Sequence, residues 1–251
     1  MSFSVHLVIP CYQESGRIGH FLEELCDVTH KIGDVSVRVV EDGSGEAEVG
    51  RLREMVAAQQ ARSPHLLPPL ILPKNLGKGG AVYAAWREEK SAEWLAFVDA
   101  DGACSAEEVA RLIRIARESG PRIAFFASRI KMLGKTIQRD FCRHLLGRLY
   151  ASLVSELLNI PVYDSQCGLK LVPRLCFEAV QTRLKVHGFA FDVELLVALL
   201  DSGCAVHEVP ISWHEIPGGK VHLLRDSVRM ARDVLKIKAA RVQNGSAAPS
   251  P

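Results

Sequence analysis

Strand-type and helix-type segments alternate through the first half of the chain. Short apolar runs, each long enough for one buried strand, are separated by longer segments whose apolar residues recur every three or four positions. The strand-type runs are residues 6–10, 35–40, 66–72, 94–98 and 123–127. Parallel strands need crossover connections, which place helices on the faces of the sheet. The sequence therefore predicts an α/β fold with a mostly parallel central sheet and helices on both faces.

The alternation stops after Arg129, and the rest of the chain is more irregular. Its predicted elements are a long helix at 138–158, a compact region at 164–172, helices near 173–182 and 192–201, a strand at 205–213 and a last helix near 222–240. A length of 251 residues suits one large α/β domain. We predict a single domain over residues 1–241 and a disordered C-terminal tail over 242–251, rich in Gly, Ser, Ala and Pro.

Composition excludes several classes of protein. A net charge of +2 provides no general attraction to nucleic acid, so we expect no nucleic-acid partner. No apolar run approaches the ~18 residues of a membrane-spanning helix, and the N-terminus has no signal-peptide pattern. These features predict a cytoplasmic protein. The seven cysteines are scattered without a Cys-x-x-Cys pair, which argues against a disulfide framework or a structural zinc site.

Two carboxylates follow the run at 94–98 directly, in the tripeptide Asp99-Ala100-Asp101. In an open parallel sheet, ligands bind just beyond the carboxyl ends of the strands. Carboxylates at that place can hold a hard cation such as Mg²⁺ or Mn²⁺, which in turn bridges phosphate oxygens. An acidic loop in which Ser105 or Asp101 caps the next helix is the structural alternative.

Other predicted strand ends carry polar residues as well. Pro10, Tyr12 and Glu14 follow the first strand, and Asp42 follows the second. A tyrosine can stack on a nucleobase, and a carboxylate can accept hydrogen bonds from a base or ribose. A glycine-rich helix start at 75–80 offers free N–H groups and the cation of its lysine. Its spacing matches neither a P-loop nor a dinucleotide-binding turn, which argues against an ATPase or a dinucleotide-dependent dehydrogenase.

Together these segments resemble the family 2 glycosyltransferases of the nucleotide-diphospho-sugar (GT-A) fold, with the nearest likeness to the dolichyl-phosphate β-glucosyltransferase and dolichol-phosphate mannosyltransferase branch. The resemblance runs from about residue 5 to residue 238. The matching segments are 8–14, 40–44, 75–79, 99–103, 127–129, 164–171, 191–195 and 208–213.

The resemblance implies a role for each matching side chain. The donor-binding residues are Pro10, Tyr12, Glu14, Asp42, Lys78, Asp99, Ala100 and Asp101. Asp101, with Asp99, would hold the metal, and the catalytic set would be Asp101, Asp164 and Asp192. Arg129, Gln166 and Lys220 would contact the acceptor or its phosphate. Asp192 would orient a phosphate acceptor or act as general base toward a hydroxyl acceptor. Ala103 stands where mannosyltransferases have a metal-binding Gln, which favours the glucosyl branch.

The implied function is an inverting, metal-dependent transfer of a hexose from a nucleotide-diphospho-sugar to a polyprenyl- or dolichyl-type lipid phosphate. UDP-glucose is the favoured donor, and GDP-mannose is the first alternative. A hydroxyl acceptor, a non-catalytic nucleotide-sugar-binding subunit and a nucleotidyltransferase are further alternatives.

Basic ridges suggest contact with a membrane surface. One consists of Lys135, Arg139 and Arg143, and the other, on the last helix, consists of Arg225, Arg229, Arg232 and Lys236. Cations beside apolar residues on one helix face suit an anionic bilayer, although a solvated helix face has the same pattern. We expect peripheral contact on the cytoplasmic face of a membrane, aided or not by a membrane-anchor partner.

Overall fold

The computed structural model describes residues 3–138, 141–216 and 223–243. Within these ranges the strands are β1 (Val5–Cys11), β2 (Val35–Glu41), β3 (Leu70–Ile71), β4 (Trp94–Val98), β5 (Ile123–Ser128), β6 (Ile137–Gln138), β7 (Leu169–Pro173), β8 (Ala205–Pro210) and β9 (Trp213–His214). The helices are α1 (Ile18–Ile32), α2 (Glu46–Gln60), α3 (Lys78–Glu88), α4 (Ala106–Arg117), α5 (Phe141–Leu158), α6 (Arg174–Val180), α7 (Phe191–Asp201) and α8 (Leu223–Gln243).

The central sheet has the strand order β3-β2-β1-β4-β7-β5-β8. Its pairs are parallel except that β7 runs antiparallel to both of its neighbours, β4 and β5. A separate two-stranded sheet pairs β6 with β9. The prediction of a mostly parallel sheet with helices on both faces is confirmed.

Apolar layers cover both faces of the sheet. Helices α1, α2 and α4 pack on one face, and α3 and α5 to α8 pack on the other. Along β1, Leu7 and Ile9 point to the first layer while Val8 points to the second, as the two-residue period of a strand requires. Every residue of β4 is buried. The polar residues that follow β4 therefore stand at the end of a rigid strand.

Several predicted boundaries are wrong, for local reasons. The compact region at 164–172 contains strand β7, and the strand at 66–72 is reduced to Leu70–Ile71, because Pro68 and Pro69 lack the N–H that a ladder needs. The strand at 205–213 is divided after Pro210 into β8 and β9. Helix α8 continues to Gln243, so residues 242 and 243, which belong to the predicted tail, are helical. Residues 244–251 lie outside the described ranges.

The structure does not place Lys135 in the first predicted basic ridge. Lys135 lies in the loop between β5 and β6, not on a helix, and its Nζ is 2.6 Å from Glu108 Oε1. Arg139 and the side chain of Arg143 lie outside the described part of the chain. None of the described helices combines the length and apolarity that crossing a bilayer requires.

Candidate functional site

A cavity of about 1150 Å³ opens beyond the carboxyl ends of β1, β2 and β4. Its lining includes every residue that the resemblance assigns to the donor: Pro10, Tyr12, Glu14, Asp42, Lys78, Asp99, Ala100 and Asp101. The volume is slightly above the range of about 300–1,000 Å³ that is typical of small-molecule and cofactor sites. The predicted donor residues, which come from four separate segments of the sequence, are thus brought together in one site.

Asp99 and Lys78 form an ion pair at the end of β4. The Nζ of Lys78 is 2.7 Å from Asp99 Oδ1 and lies over the rings of Phe97 and Phe191, at 5.2 and 5.8 Å from their centroids. Burial lowers the pKa of the Lys78 ammonium. The negative charges of Asp99 and, to a smaller extent, Asp192 outweigh the effect of burial and hold that pKa above its ordinary value. Lys78 therefore stays charged at the first turn of α3.

Asp101 completes the acidic pair after β4. One of its carboxylate oxygens accepts a hydrogen bond from the Ala103 N–H at 3.0 Å. Burial and the neighbouring charge of Asp99 raise the pKa of Asp101. A cation between the two carboxylates would relieve that repulsion, and both groups offer the hard oxygen atoms that Mg²⁺ and Mn²⁺ prefer. The residues present therefore fit a divalent ion.

The protein supplies few further ligands for such an ion. Among the described residues, no group of three or more His, Cys, Asp or Glu side chains is placed to hold a metal. Mg²⁺ is commonly held by one or two carboxylates together with substrate phosphates and water. The site suits an ion shared with the diphosphate of a donor rather than one caged by the protein alone. Ser105, not Asp101, caps helix α4, accepting a hydrogen bond from the Glu108 N–H.

The Asp42 carboxylate holds the loop in front of α3. Its oxygens accept hydrogen bonds from the N–H groups of Leu76 at 2.7 Å and Gly77 at 2.9 Å. Gly77 has a φ of +84°, a conformation that favours glycine, and a Cβ there would meet the His187 carbonyl. Burial raises the pKa of Asp42, while the two N–H groups oppose that rise. Asp42 thus shapes the cavity wall in addition to lining it.

The loop before β7 presses against Asp99. The Asp99 N–H donates to the Gly168 carbonyl at 2.9 Å, and a Cβ added at Gly168 would overlap the Asp99 carboxylate. Behind this loop, Lys170 is fully buried, and its ammonium donates to the carbonyl oxygens of Ser165, at 2.9 Å, and Cys167. A buried cation therefore fixes the loop against which the Asp99 side chain rests.

The structure gives Asp192 a different setting from the one implied by the resemblance. It is 1 % exposed, it is not among the residues that line the cavity, and its Oδ1 lies 2.9 Å from Lys170 Nζ. Burial raises the pKa of Asp192, and the cations of Lys170 and Lys78 oppose that rise. Its described contact is an ion pair in the core and not an approach to an acceptor.

Arg129, Asp164 and Gln166 line a second cavity of only about 30 Å³. The guanidinium of Arg129 donates two hydrogen bonds to the Asp164 carboxylate, at 2.7 and 2.8 Å, and lies 5.1 Å from the ring centroid of Trp213. Burial raises the pKa of Asp164, but the Arg129 guanidinium outweighs burial and holds that pKa well below its usual range. These predicted acceptor residues are therefore placed together, but apart from the main cavity. Lys220 lies outside the described residues.

Sequence reasoning missed another group of residues that line the main cavity. Arg183 and Lys185 reach it from the segment before α7, and Arg229 and Arg232 reach it from α8. The helical spacing of Arg229 and Arg232 was visible, but it suggested a membrane surface. Only the packing of α8 decides which of its faces meets the cavity.

Comparisons with known proteins give a consistent result. The model of the family described as Glycosyl transferase family 2 matches residues 6–168. A dolichyl-phosphate beta-glucosyltransferase from Saccharomyces cerevisiae is 30 % identical over 248 residues, which cover 93 % of this chain and 74 % of the yeast protein. The dolichyl-phosphate beta-glucosyltransferase of Homo sapiens is 29 % identical over 245 residues, covering 92 % and 74 % of the two chains.

Solved structures share the fold at lower identity. Glucosyl-3-phosphoglycerate synthase from Mycobacterium tuberculosis in complex with UDP has a TM-score of 0.67 and 16 % identity, covering 96 % of this chain and 80 % of the synthase chain. The same synthase with Mn²⁺ and UDP-glucose has a TM-score of 0.64 and 16 % identity, covering 96 % and 79 %. The likeness shows that the α/β architecture described above is the GT-A fold.

Proposed function

The chain is a hexosyltransferase that belongs to glycosyl transferase family 2, and we propose that it transfers glucose from UDP-glucose to a dolichyl- or polyprenyl-type lipid phosphate with inversion at the sugar carbon. One observation carries the proposal: Asp42, Lys78, Asp99 and Asp101, from two strand ends and a helix start, line one cavity. The names of the yeast and human relatives support the glucosyl group and the lipid phosphate. The UDP and UDP-glucose complexes of the mycobacterial synthase support the donor.

On the donor side, the nucleotide lies against the ends of β1 and β2. Tyr12, which is 41 % exposed, offers its ring to the base, and Pro10 and Glu14 line the same part of the cavity. Asp42 accepts from the ribose or base with the lone pairs that Leu76 and Gly77 leave free. Lys78 brings a positive charge toward the diphosphate, at a helix start where N–H groups favour anions.

Asp101 and Asp99 would hold Mg²⁺ or Mn²⁺, an ion that acts as a Lewis acid and neutralises the charge that develops on the leaving diphosphate. The acceptor phosphate is ionised at neutral pH, so its oxygen attacks the sugar carbon without a general base. The bond from that carbon to the diphosphate breaks, and UDP leaves with the electron pair. Lys78 stabilises the same developing negative charge from the protein side.

In this mechanism Asp164 and Asp192 are positioning residues. Asp164 fixes the Arg129 guanidinium, and Asp192 holds Lys170 under the loop that contacts Asp99. Lipid phosphate lies in a membrane, so we also propose that the protein works in peripheral contact with the cytoplasmic face of a membrane.

Thermal shift measurements test the donor. UDP-glucose, UDP, GDP-mannose and GDP are each added with and without Mn²⁺. A ligand that binds only the native state at a hundredfold excess over its Kd adds roughly 2.7 kcal/mol to the free energy of unfolding. We expect metal-dependent stabilisation by the uridine compounds alone. Stabilisation by the guanosine pair instead would point to mannosyl transfer, and no shift with any of them would contradict the proposal.

Transfer itself distinguishes an enzyme from a non-catalytic nucleotide-sugar-binding subunit. Radiolabelled UDP-glucose and a short-chain polyprenyl phosphate are incubated with the protein, and the organic phase is counted. We expect metal-dependent appearance of label in the lipid.

Gly168→Ala tests the contact between the loop and Asp99. The new methyl group would displace the Asp99 carboxylate, and a displacement of about 1 Å at a catalytic centre costs on the order of 10²-fold in rate. We expect a large fall in kcat and in apparent Mn²⁺ affinity while the protein stays folded. The control is Gly50→Ala on α2, where a Cβ meets nothing within 4 Å. Equal activities for the two variants would contradict this role of the loop.

A further inference from the structure

Part of the cavity wall carries positive charge that forms no ion pair with any residue in the described ranges. Arg183, Lys185, Arg229 and Arg232 line the cavity, and all four side chains are exposed. In the portions of the chain that the structure covers, none of them forms an ion pair. They stand in the same cavity as the carboxylates of the metal and donor region, which repel anions. The cations therefore mark where a second negatively charged ligand can enter.

The acidic residues in this part of the wall already have partners of their own. Asp233 is paired with Lys236 at 2.9 Å. The Glu194 carboxylate accepts hydrogen bonds from the N–H groups of Lys185 and Val186. Asp226 is buried and takes part in a further interaction. The positive charge of the four basic side chains thus remains available to a ligand.

Arg129 is a weaker candidate for the same ligand. Its charge is neutralised by the two hydrogen bonds to Asp164, and the adjoining cavity of about 30 Å³ has room for about one water molecule. A phosphate on a polyprenyl chain is larger than that space.

Helix α8 places an exposed apolar stripe beside these cations. Val228, Leu235 and Val242 are 52 %, 54 % and 72 % exposed and follow one another at seven-residue intervals, almost two helical turns. Arg232 lies four residues after Val228 and three before Leu235, so its side chain is a surface neighbour of both. One helix thus offers a charged face to the cavity and an apolar face next to it. A ligand that matches both faces has an anionic head and a hydrocarbon tail.

We propose that Arg183, Lys185, Arg229 and Arg232 bind the phosphate of the lipid acceptor, and that the stripe of Val228, Leu235 and Val242 contacts the bilayer from which the lipid enters. The occupant is a lipid phosphomonoester in a membrane, not a soluble sugar phosphate. The identity of this ligand rests on the proposed function, but its binding can be measured without turnover.

The test uses the full chain and co-sedimentation with vesicles. Phosphatidylcholine vesicles are prepared alone, with a small fraction of polyprenyl phosphate, or with phosphatidylserine at the same surface charge. The variants are Arg229→Gln/Arg232→Gln and Leu235→Ser. The matched controls are Arg53→Gln/Arg114→Gln and Leu175→Ser, since these residues are also exposed on helices but do not line the cavity.

We expect polyprenyl phosphate to recruit the wild-type protein more strongly than phosphatidylserine does. Arg229→Gln/Arg232→Gln should weaken that binding by roughly tenfold or more, the usual effect of losing a charge-assisted hydrogen bond, with the thermal shift by UDP unchanged. Leu235→Ser should weaken binding to all vesicles, and the controls should match wild type. Equal binding to both anionic vesicles, wild-type binding by the double variant, or loss of the UDP shift would each overturn the inference.

The transfer assay separates this inference from the proposed function. If the wild-type protein transfers glucose and the double variant keeps the wild-type KM for polyprenyl phosphate, the function stands and the inference fails. If binding depends on Arg229 and Arg232 but no donor yields transfer, the phosphate site stands and the proposed function fails.

Discussion

Asp101→Asn is expected to lower glucose transfer by at least about a hundredfold while leaving the protein folded. Asparagine keeps an oxygen atom for the Ala103 N–H but removes the negative charge beside Asp99. A divalent ion contributes several kcal/mol of charge stabilisation at a leaving diphosphate, and about 1.4 kcal/mol corresponds to a tenfold change in rate. The measurements are the steady-state transfer rate as a function of Mn²⁺ concentration and the Mn²⁺ dependence of the thermal shift by UDP.

A matched change elsewhere controls for the chemistry of the substitution. Asp27 is exposed on α1 and does not line the cavity, and Asp27→Asn makes the same replacement. We expect that variant to behave like wild type. If Asp101→Asn transferred glucose at the wild-type rate when Mn²⁺ is limiting, the assignment of Asp101 to the metal would be wrong.

Lys170→Met is expected to have the largest effect on stability, lowering the free energy of unfolding by about 3–5 kcal/mol. Lys170 and Asp192 are both almost completely excluded from solvent, and the ammonium also lies 5.5 and 5.3 Å from the ring centroids of Phe97 and Phe126. Methionine fills a similar volume but leaves the Asp192 carboxylate without its ion-pair partner. Urea unfolding measures the loss.

The pH dependence of the stability loss in Lys170→Met identifies the cause of that loss. Burial already raises the pKa of Asp192, and removal of Lys170 raises it further. A carboxyl whose pKa is higher in the folded than in the unfolded state takes up a proton on folding, so its contribution to stability is lost as pH rises. The deficit of Lys170→Met should therefore be smaller at acidic than at neutral pH.

Removing both charges provides a second check. Lys170→Met/Asp192→Asn leaves no buried charge unpaired, and we expect it to be more stable than the single variant. Lys31→Met, at an exposed position on α1, should change stability by less than about 0.5 kcal/mol. A single Lys170→Met variant as stable as that control would show that the buried pair contributes little.

The convergence of the candidate donor residues on one cavity was predictable because it depends on strand ends. A short apolar run followed by polar residues, as at Trp94–Val98 and then Asp99 and Asp101, locates a strand and its tip. In a parallel sheet the tips of neighbouring strands share one edge, so linear order is enough to bring Asp42 and Asp99 together. The local sequence pattern and the general topology of parallel sheets are therefore enough to predict this part of the fold.

Strand β7 was not predictable by the same reasoning. Its five residues, Leu169–Pro173, are all buried, yet they include a lysine whose charge is balanced by Asp192 in a later helix. A charged residue inside a short apolar run argues against a buried strand, unless the residue of opposite charge that pairs with it is known. The antiparallel direction of β7 likewise depends on tertiary pairing and produces no periodic pattern in the sequence.

The proposed acceptor side depends on the orientation of helix α8. Arg229 and Arg232 share a face with Lys236 in the sequence, and that pattern suits a membrane surface, a solvated face or a cavity wall equally well. The choice is made by Val234 and Ile237, which are buried in the core and so turn the basic face toward the cavity. Helical periodicity predicts which residues share a helix face, but it does not predict which part of the structure that face contacts.

The place of β7 between β4 and β5 also affects how the protein is made. Strands β4 and β5 have no backbone pairing with each other, because each pairs with β7 instead. A growing chain that has reached only residue 160 therefore contains two unpaired strand edges where the middle of the sheet will be, and such edges promote association with other chains. The sheet can become continuous only after Pro173 has left the ribosome, and the same step delivers Gly168 to Asp99. The joining of β5 to the rest of the sheet and the contact of Gly168 with Asp99 therefore depend on the same segment of the chain, and a chain that ends after β5 lacks both.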